Sequence, residues 1–137
     1  MMKQTIMITA AIVVLVAVSG CALYSDNLVK VDANVEDIDI VLLESFPLQA
    51  RVIARGSFSD SCTRVAEIET LSGSYGFNIT VRTARPADAQ CAQVITPFEE
   101  TIPLDIRGFA ACNYTVTVNG VSETFELQVD NVLQTTE

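Results

Sequence analysis

Residues 113–129 read NYTVTVNGVSETFELQV, so that two runs of alternating apolar and polar side chains flank the dipeptide Asn119-Gly120. A two-residue type I′ turn requires positive φ angles at both central residues, which Asn and Gly adopt most readily. The segment therefore predicts a β-hairpin whose short loop fixes the register of its strands. The residues expected to lie opposite one another are Val118 and Val121, Val116 and Glu123, Tyr114 and Phe125, and Cys112 and Leu127.

One face of this hairpin is almost wholly apolar. Apart from Glu123, the register collects on it the side chains of Cys112, Tyr114, Val116, Val118, Val121, Phe125, Leu127 and Val129. The other face carries Thr, Ser, Glu and Gln side chains. Antiparallel sheets commonly pack one face on a core and expose the other. We therefore expect the apolar face to be buried, and the Cys112 thiol with it.

The preceding part of the chain shows the same alternation. From Val35 onward no stretch sustains an apolar period of 3.6 residues, whereas period-two alternation recurs about every ten residues with turn residues between. Further strands are predicted over residues 35–44, 48–55, 64–71, 75–83 and 98–104. Pro97 and Pro103 place the last of these at a sheet edge, because proline cannot donate a hydrogen bond to a ladder.

The predicted fold class is all-β, a seven-stranded antiparallel immunoglobulin-like sandwich over residues 35–130 with a C-terminal tail at 131–137. Residues 102–120 (IPLDIRGFAACNYTVTVNG) also resemble bacterial immunoglobulin-like and fibronectin-like modules. The resemblance implies that Tyr114 takes the corner-tyrosine position, and it departs from those modules at Cys112-Asn113, where Gly is usual. Segments 43–49 (LESFPLQ) and 97–100 (PFEE) are similar to uncharacterised small lipoproteins, which implies a family but no activity.

The first twenty residues have the order of a secretory signal, with Lys3 near the start, an apolar run over 6–18 and Ser19-Gly20 before Cys21. The apolar run is about 13 residues long, shorter than the roughly 20 needed to cross a bilayer as a helix. We therefore expect residues 1–20 to form a helical signal peptide that is removed. An ordinary cleavage nearby, leaving Cys21 free or disulfide-bonded, is the alternative.

Val18-Ser19-Gly20-Cys21 resembles the bacterial lipobox, position by position. The resemblance implies a diacylglycerol thioether on Cys21, cleavage before it and acylation of the new amino group, with palmitate as a typical chain. Two or three acyl chains give stable anchoring, whereas one gives only marginal membrane binding. In bacteria with two membranes, an Asp directly after the lipidated Cys resembles a signal for retention in the inner membrane. Ala22 at this position therefore favours the outer membrane. The expected protein is lipid-anchored to the cell membrane or outer membrane, faces the periplasm or cell exterior, and has a tether at 21–34.

The charge balance excludes one class of partner. The chain has 8 Lys and Arg against 17 Asp and Glu, with a formal net charge of −9. Nucleic-acid backbones require clustered basic side chains, so nucleic acid is not an expected partner. His is absent, and with it the commonest general base and neutral metal ligand. We expect no cofactor and no enzymatic activity.

Three cysteines follow the predicted anchor, which is an odd number for an oxidising compartment. The hairpin predicted over 64–83 places residues near 62 opposite residues near 86 at its open end. The sulfurs of Cys62 and Cys91 can meet there, so a disulfide between them is expected. Cys112 remains as a buried free thiol. The chain has no Cys-x-x-Cys pattern, which argues against redox-active or zinc-ligating cysteines.

Two groups of carboxylates keep other functions open. Asp32, Glu36, Asp37 and Asp39 form the densest acidic stretch and offer oxygen ligands for calcium, and Glu99, Glu100 and Glu123 could supply a hydrolytic pair. The expected function is a non-catalytic binding or structural module of the cell envelope, with an envelope protein or glycan as partner. The alternatives are a surface-acting hydrolase or enzyme inhibitor, or a calcium-binding envelope module.

Overall fold

A computed structural model describes residues 27–133. These residues form eight strands and no helix, so none of them supplies a helix long and apolar enough to cross a membrane. The strands are β1 (Leu28–Asp32), β2 (Val35–Leu43), β3 (Gln49–Phe58), β4 (Arg64–Gly73), β5 (Gly76–Pro86), β6 (Thr96–Leu104), β7 (Asn113–Val118) and β8 (Val121–Glu126). The predicted all-β class is confirmed. The predicted signal helix lies outside the described residues.

The strands form two sheets. In the five-stranded sheet β5 is central, with β4 along one edge, while β1 and β7 share the other edge and β8 follows β7. Strand β1 pairs with Arg82–Pro86 of β5 and β7 pairs with Gly76–Ile79. The second sheet has the order β2-β3-β6. The chain is therefore a two-sheet β-sandwich.

The predicted strand count of seven is wrong by one. Residues 28–32, which the sequence assigned to the tether, form β1. All five of them are exposed. Because the strand buries no apolar face, its sequence shows only a weak alternation of apolar and polar residues. The expectation of wholly antiparallel pairing also fails at one pair, because β5 and β7 run parallel. Strand β6, between them in sequence, lies in the other sheet, so the chain crosses over and returns in the same direction.

The hairpin of β7 and β8 has the predicted register. Asn119 and Gly120 both have positive φ, 47° and 89°, as the two-residue turn requires. Val118 lies opposite Val121 and Tyr114 lies opposite Phe125. The second strand ends at Glu126, however, so Val129 is 63% exposed and does not join the predicted apolar face.

One core lies between the sheets. Alternate residues of β3 and β5 are buried, as the period-two alternation of their sequences predicts: Ala50, Val52, Ala54, Phe77, Ile79 and Val81. Among the strands that the structure describes, β6 pairs only with β3 and is the predicted edge strand. Strands β2 and β8 pack against each other and close one side of the sandwich.

The sandwich has two ends. One end comprises the start of β1, the ends of β3 and β5, and the loops 59–63 and 87–95; we call it the first-strand end. The other, the opposite end, comprises the loops 44–48, 74–75 and 105–112. Tyr114 is the second residue of β7 there, and its hydroxyl donates to the Ala110 carbonyl at 2.8 Å. A hydrogen bond to the backbone four residues upstream is the geometry expected of a corner tyrosine.

Candidate functional site

A pocket of about 460 Å³ opens at the first-strand end, between β1 and the end of β3. Its mouth carries three exposed apolar side chains, those of Val29, Val31 and Ile95. Deeper in the pocket lie the polar side chains of Asp60 and Arg85. Val29 lies opposite Arg85 in the ladder of β1 and β5, so pairing of the tether segment forms one wall.

Asp60 organises the loop that precedes β4. The residue is 1% exposed, and its Oδ1 accepts hydrogen bonds from the Cys62 amide, the Thr63 amide and the Thr63 hydroxyl, each at 2.9 Å. Its Oδ2 lies 3.2 Å from Nη1 of Arg85. A buried carboxylate needs such partners. Asp60 therefore joins the loop to the end of β5.

The same contacts set the charge of this carboxyl. Burial by itself raises the pKa of Asp60, but hydrogen bonds from Cys62 and Thr63, together with the charge of Arg85, outweigh burial and lower that pKa below its usual value. The group is therefore ionised at neutral pH. An ionised carboxylate with both oxygens occupied acts as a structural acceptor and has no proton to donate to a substrate.

Arg85 has unused hydrogen-bonding capacity. Its side chain is 34% exposed, Nη1 is paired with Asp60, and Nη2 lies 3.7 Å from Sγ of Cys91. Its Nε is buried and has no hydrogen-bond partner within residues 27–133. Buried donors are usually satisfied, so this nitrogen is the least satisfied polar atom of the pocket.

The predicted disulfide between Cys62 and Cys91 is confirmed. The Cα atoms are 5.6 Å apart, inside the range that a disulfide spans. The bond joins the loops 59–63 and 87–95 beside the pocket, and the Ser61 amide donates to the Ala92 carbonyl at 3.0 Å. The two loops of the first-strand end are thus held together covalently and by hydrogen bonding.

The position expected for Cys112 is wrong. Its thiol is free, as predicted, but exposed. The backbone pairing extends this far, because the Leu127 amide donates to the Cys112 carbonyl at 2.9 Å. The chain bends at Ala111 and Cys112 before β7 begins at Asn113, however, and the alternation of faces stops there.

Asp60, Cys62 and Cys91 also place three potential metal ligands within 4.8 Å of one another. In the bridged form the two sulfurs are bonded to each other, and both oxygens of Asp60 are engaged by protein groups. The cluster therefore acts as a structural junction in this state.

The acidic stretch proposed for calcium is not gathered into one site. Asp32 lies on β1 in the five-stranded sheet, whereas Asp37 and Asp39 lie on β2 in the other sheet. Asp37 and Asp39 approach Nη1 of Arg55 at 3.2 and 2.6 Å, and Glu99 approaches its Nε at 2.8 Å. Arg55 thus unites carboxylates of β2 and β6 on the exposed face of β3.

The carboxylates considered for hydrolysis are likewise dispersed. Glu99 and Glu100 are consecutive in β6 and project to opposite faces, with Glu99 bound to Arg55. Glu123 lies on β8, in the other sheet. The structure does not bring the three together, and Cys21 lies outside the described residues.

The sequence did not reveal the pair of Asp60 and Arg85. In the segment Asp60-Ser-Cys-Thr63, the Asp side chain can accept hydrogen bonds from the backbone amides two and three residues later, as it does in the structure. The sequence could therefore have predicted this turn. Arg85 had no comparable signal, because it reaches Asp60 only through the pairing of β4 with β5.

Known proteins support the β-sandwich assignment. A family model described as "ORF11 beta-sandwich domain" matches residues 52–127, from within β3 to just beyond β8. Two relatives from Herpetosiphon aurantiacus, described as uncharacterized 10.2 kDa proteins in the HgiBIM and HgiEIM 5′ regions, are each 37% identical over 83 residues. Each match covers 61% of this chain and 100% of the relative.

A third relative from the same organism, in the HgiCIIM 5′ region, is 34% identical over 93 residues, covering 68% of this chain and 98% of its own length. No solved structure gives a significant match. The segment matched by the family model comprises most of β3, all of β4 to β8, the disulfide and the Asp60–Arg85 pair. The chain belongs to the ORF11 beta-sandwich domain family.

Proposed function

We propose that the protein is a lipid-anchored module of the cell envelope and that its sandwich has a non-catalytic binding or structural role. The lipobox-like Val18-Ser19-Gly20-Cys21 supports the anchor. The disulfide between Cys62 and Cys91 supports export, because such bonds persist in oxidising compartments and are rare in the cytosol. A lipid anchor at Cys21 would hold the sandwich close to the membrane surface.

The observation that carries the binding role is the edge formed by β4. This ten-residue strand pairs with β5 alone among the described residues, and nine of its ten residues are exposed. Its free edge offers unpaired backbone donors and acceptors to an extended segment of another protein. Ile68 and Leu71, 38% and 60% exposed, add apolar contact on the two faces of the strand.

We also propose that the sandwich is an immunoglobulin-like variant. The order β2-β3-β6 and the hairpin of β7 and β8 fit the A-B-E and F-G strands of that fold, and the Tyr114 corner supports the same assignment. The parallel pair of β5 and β7 departs from it. The immunoglobulin-like features therefore support a fold assignment, and the function rests on the anchor and the β4 edge.

The anchor is tested by Cys21→Ala. This variant should leave the membrane fraction or accumulate as uncleaved precursor, because it removes the sulfur that would carry the diacylglycerol. The measurement is fractionation of expressing cells with immunoblotting. Cys112→Ala is the matched control, since it removes an exposed thiol at the opposite end and should remain membrane-bound. Unchanged membrane binding and processing of Cys21→Ala would overturn the anchor.

The β4 edge is tested by photo-crosslinking in intact cells. A photoreactive residue at Thr70 on β4 should give a discrete crosslinked protein, and adding Ile68→Lys should remove that product, because an edge lysine opposes strand addition. A photoreactive residue at Thr124 on β8 is the control. The same products from both positions, or persistence after Ile68→Lys, would contradict binding through this edge.

A further inference from the structure

Exposed apolar side chains cluster at the first-strand end. Val29, Val31 and Ile95 line the mouth of one pocket and are 46%, 57% and 80% exposed; we call them the apolar rim. The adjoining Leu28 and Val94 are 43% and 53% exposed. Scattered exposed apolar residues need no explanation, but a contiguous group indicates a surface that meets an apolar or membrane partner.

The proposed anchor is joined to this end by a short stretch of sequence. Leu28 follows Cys21 by seven residues, which span at most about 25 Å when fully extended. Strand β5 runs the length of the sandwich from Gly76 to Pro86, and Leu28 pairs with Pro86. A sandwich standing on its opposite end would therefore hold Leu28 about 33 Å above the lipid. That height exceeds the reach of the tether.

The charges at this end permit close approach to lipid. Loop 87–95 contains a single charged residue, Asp88, although the whole chain has a net charge of −9. Lys30 and Arg64 both lie opposite Ala84, on either side of β5, and offer cations to anionic headgroups. Of the charged residues that line the pocket, Asp60 is paired with Arg85, and the exposed Asp32 lies 3.7 Å from Nε of Arg82.

We propose that the apolar rim rests on the lipid surface and orients the sandwich on its membrane. This inference builds on the proposed anchoring at Cys21. A weak contact is sufficient, because a short tether keeps the rim at a local concentration on the order of millimolar relative to the membrane. In this orientation the first-strand pocket faces the headgroups, while the opposite end, with Phe46 and Cys112, faces away.

The chain contains no Trp, so single tryptophans can report the depth of each end. Ile95→Trp and Phe46→Trp are matched reporters, because the native residues are 80% and 81% exposed and lie at the two ends. The full chain, expressed in bacteria with residues 1–20 and purified from whole cells, is reconstituted in phosphatidylcholine–phosphatidylglycerol vesicles containing brominated lipid. Quenching of fluorescence at position 95 should be several-fold stronger than at position 46, and adding Val29→Asp should reduce it. Leu71→Asp, on β4, should not.

Vesicle flotation separates the two proposals. Chains that float with equal quenching at positions 95 and 46, or with stronger quenching at 46, overturn the orientation and leave the anchor standing. Chains that do not float overturn the anchor and the orientation that rests on it. Flotation with selective quenching at position 95 supports both.

Discussion

Gly76→Ala is expected to lower the free energy of unfolding by about 4 kcal/mol or more, and to leave little folded protein if the domain has ordinary stability. Gly76 has φ of +147°, a conformation that residues with a side chain rarely adopt. A Cβ at this position would lie 1.8 Å from the Thr115 carbonyl oxygen. That oxygen is backbone of β7, where β7 begins its parallel pairing with β5, so neither strand can move aside without breaking the sheet.

Gly73→Ala is the matched control for this prediction. Gly73 ends β4 in the same hairpin, and the nearest atom to an added Cβ is 3.8 Å away, which is ordinary contact. Urea unfolding followed by circular dichroism should place Gly73→Ala close to the parent chain. Similar stabilities for Gly76→Ala and Gly73→Ala would show that the close approach of β5 and β7 is wrong.

Removing the disulfide is expected to have the second largest effect. The double change Cys62→Ser and Cys91→Ser should lower the free energy of unfolding by about 3 kcal/mol, because it frees a loop closed over a sequence separation of 29 residues in the unfolded chain. The loss should appear as a lower urea midpoint with an altered slope, and a reductant should produce a similar shift in the parent chain.

Cys112→Ser provides the control for the disulfide, because Cys112 is free and exposed. Its effect should stay within about 0.5 kcal/mol, as for most surface substitutions. Non-reducing peptide mapping should join Cys62 to Cys91 in the parent chain. A bridge that includes Cys112, or a double variant as stable as the parent, would contradict the arrangement of the first-strand end.

Local pattern predicted the antiparallel hairpins well. The turn at Asn119-Gly120 fixed the register of β7 and β8 because only certain residues accept positive φ at both positions. The hairpin of β4 and β5 placed Cys62 and Cys91 at the same end of the sandwich, so their bond followed from spacing. These features depend on residues that are close together in the sequence, so the sequence of one chain is enough to predict them.

Features set by distant pairing were not predictable in this way. Strand β1 is exposed throughout and exists because β5 offers it an edge. The parallel contact of β5 and β7 depends on β6 crossing to the other sheet. The ion pair of Asp60 and Arg85 joins residues that come together only when β4 and β5 pair, so charge pattern alone did not indicate it.

The pairing of β1 with β5 determines how the proposed anchor would orient the sandwich. Because β1 follows Cys21 after a few residues and pairs with the end of β5, an acylated Cys21 would hold the first-strand end nearest the lipid. The β4 edge runs along the side of the sandwich, where the proposed envelope partner would pair with it. In this proposal the pocket at the first-strand end and the β4 edge occupy separate parts of one small domain.

The N-terminal peptide of the mature protein tests the central claim most directly. Mass spectrometry of the protein isolated from the membrane fraction should give a peptide that begins at Cys21 and carries the mass of a diacylglycerol, with an amide-linked acyl chain in many bacteria. A peptide that begins at Met1 would contradict lipid anchoring. So would a peptide in which Cys21 is unmodified, wherever the mature chain begins.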